Sequence, residues 1–200
     1  MSGGPDPIRE IRIWDPLLRG FHWLLALSVT AAWLLGKFGP ASMVLHFWCG
    51  YVVAGLLVFR LVWGFVGPET ARFSHFLRGP RPIMSYLRGF FLREPSHWPG
   101  HNPLGALSVI AMLAVLAAQV TSGLFADPED FLNVGPLAPY VSAATRSKAV
   151  GWHNLGASLV LILVALHLAM ILYYRLWKRE DLVRPMLTGR KLVRGERTPD

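Results

Sequence analysis

Four long apolar stretches alternate with polar segments rich in proline and glycine along the chain. They cover roughly residues 20–37, 41–66, 103–125 and 149–177. Each has at least the roughly 17 residues that an α-helix needs to cross the hydrocarbon core of a bilayer. The pattern predicts an all-α membrane protein with a bundle of four transmembrane helices. Residues 1–200 contain no repeat or low-complexity segment and are expected to form a single membrane domain.

The first stretch could also be a secretion signal, because arginines precede it and small residues follow it. Its length and the histidine within it favour a helix that stays in the mature protein.

The net charge of +8 could indicate a nucleic-acid-binding protein, but the positions of the basic residues give another explanation. Three of the 20 precede the first stretch, six lie in residues 60–93 and eight in residues 175–197. Only Lys37, Arg146 and Lys148 lie elsewhere. By the positive-inside rule, both termini and the middle loop are expected to be cytoplasmic, and the two remaining loops are expected to face the periplasm or exterior. No nucleic-acid partner is expected, and the membrane lipid is the expected surroundings of the apolar stretches.

The apolar stretches contain four histidines: His22, His46, His153 and His167. The last two are fourteen residues apart, which on one helix means a rotation of only about 40° and a rise of about 21 Å. With the predicted topology, His46 and His153 lie at the outer depth, and His22 and His167 at the inner depth. Imidazole is costly to bury in a bilayer without a partner and is an axial ligand of haem iron. The pattern predicts two b haems, one at each depth.

The haems are expected to be bound non-covalently, because Cys49 is the only cysteine and cannot form a C-x-x-C-H motif. His22 and His153 each adjoin a tryptophan and could instead be interfacial anchors. His167 has only apolar neighbours in the sequence. Three histidines of the middle loop are expected to be solvated: His75, His97 and His101. Of these, His101 could approach a quinone head group.

Arg60 follows His46 by fourteen residues and is therefore expected on nearly the same face, at the inner depth. Its guanidinium could bind a haem propionate, or it could extend to the inner lipid head groups. Arg19, next to His22, is a weaker candidate for the same role. The third stretch has no histidine and is expected to be structural, with Asn102 and Pro103 starting its helix. Residues 83–93 predict a short helix in the cytoplasmic interface, after a break at residues 79–82.

Several short stretches resemble the bacterial cytochrome b561 family, which includes the b-type cytochrome subunits of nickel-iron hydrogenases. The similar stretches are residues 19–23 (RGFHW), 46–51 (HFWCGY), 59–64 (FRLVWG), 102–106 (NPLGA), 123–127 (GLFAD), 135–138 (GPLA), 152–154 (WHN) and 184–191 (RPMLTGRK). The resemblance implies a four-helix cytochrome with two b haems, and it places the family's ligands at His22, His46, His153 and His167. It also implies electron transfer between the quinone pool and a periplasmic partner, such as a cytochrome c or an oxidoreductase subunit.

Two other functions remain open from the sequence. A superoxide oxidase that reduces ubiquinone would benefit from a cationic outer surface, yet Asp127, Glu129 and Asp130 lie in the outer loop. The second is a haem-free membrane anchor or transporter. Ion pathways usually need an Asp or Glu inside the membrane, and no apolar stretch has one in its interior. The acidic loop is expected to dock a basic face of a partner protein, or to be only a solvated loop.

Overall fold

The computed structural model describes residues 8–93, 98 and 100–194, with side chains for residues 10–93, 98 and 100–191. Its long helices are α1 (Pro16–Phe38), α2 (Val44–Val66), α5 (Pro103–Phe125) and α6 (Ala143–Leu176). Its short elements are β1 (Ile8–Arg12), α3 (Phe73–Phe76), α4 (Pro80–Arg88), α7 (Val183–Thr188) and β2 (Arg190–Arg194). The 3-10 turns are Glu69–Ala71 and Ala138–Tyr140.

The four long helices confirm the predicted class, since each is long and apolar enough to span a membrane. Several observed helix starts differ from the predicted ones, because hydropathy alone does not determine where a helix begins. Helix α6 begins six residues before the predicted stretch, because the Ser142 hydroxyl accepts the Thr145 N–H at 3.2 Å and caps a polar first turn. Helix α1 begins four residues early, because the Asp15 carboxylate accepts the N–H groups of Leu17 and Leu18. Helix α2 begins three residues late, at Val44.

The predicted start of α5 is confirmed. The Asn102 side-chain oxygen accepts the Gly105 N–H at 2.8 Å, and Pro103 occupies the first helical position. Helix α4 begins at Pro80, inside the predicted break, because a proline in the first turn needs no amide donor.

Two compact units divide the chain, and each long helix has residues in both. The first consists of residues 1–19, 64–107 and 168–200. It contains an antiparallel pair that the all-α prediction omits, β1 with β2, in which Ile8 lies opposite Arg194. Lys191 belongs to β2, and its buried ammonium contacts the Glu180 carboxylate at 2.6 Å and donates to the Trp98 carbonyl at 2.8 Å. The Tyr174 hydroxyl bonds to the Tyr86 hydroxyl and accepts the Asn102 amide at 2.9 Å.

The second unit, residues 20–63 and 108–167, holds most of each long helix and the four histidines of the apolar stretches. Its buried residues are few, and they include Ser28, Val53, Arg60 and Leu116. The leucines on its surface are widely exposed, as a lipid-facing surface requires. The prediction that residues 1–200 form one domain stays a prediction.

Candidate functional site

His46 of α2 and His153 of α6 lie side by side in the second unit. Their ring centroids are 5.9 Å apart, with an angle of 81° between the planes. Both rings are partly buried, whereas the adjacent Leu45 and Trp152 are 60% and 65% exposed. The helices therefore turn these two imidazoles away from the lipid and towards each other.

Main-chain carbonyls on neighbouring helices bind one nitrogen of each ring. His46 Nδ1 lies 2.8 Å from the Ala32 carbonyl oxygen, and His153 Nδ1 lies 3.0 Å from that of Gln119. A carbonyl only accepts, so the proton must be on Nδ1 and the lone pair on Nε2. This is the usual arrangement of a metal-binding histidine.

Glycines form the walls against which both rings pack. A Cβ on Gly36 would lie 3.1 Å from His46 Nδ1, and one on Gly123 would lie 2.9 Å from His153 Cε1. Ser122 Oγ lies 3.5 Å from His153 Nδ1, and the Gln119 side-chain nitrogen lies 3.4 Å from His153 Nε2. The third apolar stretch was expected to have only a structural role. In the structure it forms α5, which also positions the ring of His153.

His22 of α1 and His167 of α6 form a second pair, with ring centroids 6.5 Å apart. Leu166 and Leu168 are 55% and 59% exposed, so His167 lies on the protected face of its helix. The Nδ1 atom of His22 is buried and has no hydrogen-bond partner among the described residues. A buried ring nitrogen without a partner is costly, and a bound group would remove that cost.

The two pairs fit axial ligation of haem. Metal–imidazole bonds are about 2.0 Å long, so two rings on opposite faces of one ion have centroids roughly 6 Å apart. No group of three or more His, Cys, Asp or Glu side chains that could hold a bare metal ion occurs in the described part of the chain. Haem requires only two protein ligands, because the porphyrin supplies the other four. The pairs brought together are those that helix depth predicts; their ligation of iron stays a prediction.

The two arginine candidates have different surroundings. Arg60 is 3% exposed and lies in the unit that holds the histidines, whereas a side chain that extends to lipid head groups would be more exposed. Arg19 lies in the other unit, where its Nη1 donates to the Leu187 carbonyl. Arg19 Nε is buried and without a hydrogen-bond partner within the described ranges.

The loop histidines are less solvated than the sequence predicts. The ring of His101 packs against Trp14 and Phe76, with centroid distances of 4.7 and 4.9 Å. His75 lies 3.7 Å from the Glu69 carboxylate. His97 lies outside the described residues.

Two of the three outer acids bind within the chain. Asp127 pairs with Arg146 at 3.2 Å. The Asp130 carboxylate accepts the N–H groups of Leu132 and Asn133, and the Asn133 bond is the main reason why the pKa of Asp130 lies below its ordinary value. The carboxylate is therefore ionised at neutral pH. Asp127 and Asp130 therefore stabilise the loop itself. The spacing of these acids in the sequence did not predict these bonds.

Comparison with known proteins identifies the family. The family model of prokaryotic cytochrome b561 matches residues 13–189. The chain is 25% identical to a probable Ni/Fe-hydrogenase B-type cytochrome subunit of Azotobacter vinelandii, over 98% of this chain and 95% of that protein. It is 22% identical to a probable Ni/Fe-hydrogenase 1 B-type cytochrome subunit of Escherichia coli K12, with 94% of each chain covered. No solved structure matches significantly. The histidine-bearing helices and the match along nearly the whole chain show that this protein belongs to the prokaryotic cytochrome b561 family.

Proposed function

We propose that the protein is a di-haem electron-transfer cytochrome in which His46 and His153 hold an outer haem b and His22 and His167 hold an inner one. The observation that carries this proposal is the pairing of the four rings at 5.9 and 6.5 Å within one unit. The family is that of b-type cytochromes, so haem b is its cofactor and electron transfer its role. The number of haems and the assignment of ligands belong to the proposal.

The chain's own residues define what such a site can do. With Nδ1 of His46 and His153 bound to carbonyls, each Nε2 carries the lone pair that would hold haem iron. At His153 this bond would replace the 3.4 Å contact between Nε2 and the Gln119 side-chain nitrogen. Each pair would hold one haem through two histidines, and the bound haem would supply one-electron transfer. We propose Arg60 as the residue that binds an inner-haem propionate, because it is buried in the unit that holds the histidines and follows His46 by fourteen residues on α2. Arg19 is the weaker candidate, and it rests only on its closeness to His22 in the sequence.

The proposed partners are inferred from the family and from the predicted topology. The chain is a multi-pass protein of the bacterial inner membrane. With the termini in the cytoplasm, it would transfer electrons between quinone in the membrane and a redox protein outside. Several relatives are named as nickel-iron hydrogenase cytochrome subunits, so a hydrogenase is the first partner to test. A periplasmic cytochrome c is the alternative.

Single histidine substitutions test the ligand pairs. His46→Ala and His153→Ala should each remove the same haem, and His22→Ala and His167→Ala should each remove the other. A redox titration followed by optical difference spectra identifies the haem that remains. Loss of different haems from His46→Ala and His153→Ala would refute the pairing. His75→Ala is the control, because this histidine lies outside the long helices, and it should keep both haems.

A further inference from the structure

The loop between α5 and α6 exposes two large apolar side chains at its tip. Phe131 is 96% exposed and Leu132 70% exposed. Neither belongs to a helix that spans the membrane. An isolated exposed leucine is ordinary, but an adjacent pair at the tip of a loop forms an apolar protrusion.

The loop around this tip is tied down by hydrogen bonds. The nearly buried Asn133 donates to the Ala41 carbonyl at 2.9 Å and accepts the Met43 N–H at 2.9 Å, which links the tip to the α1–α2 connection. Further along, the N–H groups of Gly135 and Leu137 donate to the carbonyls of Ala126 and Leu124. The loop is therefore fixed to the α1–α2 connection and to the end of α5.

The backbone keeps the aromatic ring in solvent at a conformational cost. Glu129 and Phe131 have φ values of 61° and 60°, in the left-handed region that bulky residues rarely adopt. Strain of this kind persists only where the surroundings enforce it, and it is concentrated at functional sites. Here the Asp130 carboxylate enforces it through its bonds to the N–H groups of Leu132 and Asn133.

The loop also leads directly to the candidate outer haem site. The main chain at Gly135 packs against the carbonyls of Gly123 and Leu124, and Gly123 lies against the ring of His153. A protein bound at the tip would therefore lie next to the helix end that supports this histidine.

We infer that Phe131 and Leu132 form the docking contact for the outer redox protein, inserting into an apolar recess on its surface. This inference rests on the proposed function. A protein suits the tip better than lipid, because three acids directly precede the tip and no basic residue occurs in residues 126–145, whereas segments that anchor to anionic bilayers have basic flanks. Asp127 and Asp130 already bind within the chain, so apolar contact rather than charge supplies the affinity.

A binding measurement tests the inference. The parent and the double variant Phe131→Ser/Leu132→Ser are placed in nanodiscs, and the Kd for the purified nickel-iron hydrogenase of the source organism is measured at low and high salt. The double variant should raise Kd at least tenfold at both salt concentrations, because apolar contact is not screened. Glu129→Gln, at the same tip, and Phe91→Ser, a 77% exposed aromatic of the middle loop, are the matched controls and should change Kd less than twofold.

A parental Kd for the double variant would overturn the inference. If that variant also changed particle size in detergent, the tip would instead contact a second copy of the chain; if size were unchanged, it would contact lipid or solvent. A parent that carries two reducible haems but does not bind the hydrogenase would overturn both the hydrogenase assignment and the docking contact, while leaving the haem proposal intact.

Discussion

At the scale of single residues, the most informative contacts are the two main-chain carbonyls that bind His46 and His153. Ala32 and Gln119 accept through the backbone, so almost any residue type at those positions could do the same. The sequence identifies the histidines by their burial cost and spacing. It cannot identify these acceptors, because every residue type has a main-chain carbonyl.

The glycine walls lead to a first prediction. Gly123→Ala would place a Cβ 2.9 Å from His153 Cε1, so the ring must move and the proposed outer haem should be lost or bound more weakly. Overpacking of this kind typically costs about 1–3 kcal/mol. The haem content after purification measures the effect.

Gly151→Ala is the matched control, because a Cβ there meets nothing within 4 Å. Removing a helical glycine at such a site should leave haem content unchanged and raise stability by roughly 0.5–1 kcal/mol. Equal haem loss in both variants would show that the wall at Gly123 has no specific role.

A second prediction concerns the buried Arg60. Arg60→Gln removes a positive charge near the proposed inner haem, so its ferric form becomes relatively more stable and its midpoint potential should fall. A potentiometric titration measures this. Arg175→Gln, an exposed arginine in the last turn of α6, is the control and should leave both potentials nearly unchanged. An unchanged inner potential with a shifted outer one would contradict the assignment of Arg60.

At the scale of elements, the outer loop depends on Asn133. Asn133→Ala leaves the Met43 N–H and the Ala41 carbonyl without their partner, and Asp130 loses a bond of 2.6 Å. A buried bond of this type typically costs about 1–3 kcal/mol when one partner is removed. Thermal unfolding in detergent should therefore occur at lower temperature, whereas the exposed Asn154→Ala should unfold like the parent. Equal unfolding of the two variants would mean that Asn133 does not stabilise the loop.

The elements also show how far the sequence can be used. Apolar length predicted four helices and the last residue of two of them, α2 and α5. It did not predict the polar first turns of α1 and α6, because Asp15 and Ser142 set those starts through capping bonds. The pair β1 with β2 was missed, since two basic five-residue strands from opposite ends of the chain have no apolar periodicity.

At the scale of the whole molecule, three of the four long helices bring four histidines into two pairs. Depth along the helices predicted which rings would pair, because His153 and His167 share α6 and positive charge sets the predicted orientation. The function of α5 was underestimated, since it supports His153 through Gln119, Ser122 and Gly123, none of which is a recognisable ligand type.

The haem-to-polypeptide ratio of the purified protein tests the central claim most directly. Haem is quantified from the reduced-minus-oxidised spectrum and divided by the polypeptide concentration from amino-acid analysis. Two paired sets of histidines predict a ratio of two, with two redox transitions. A fully loaded protein with a ratio of one, or a colourless protein, would contradict the account.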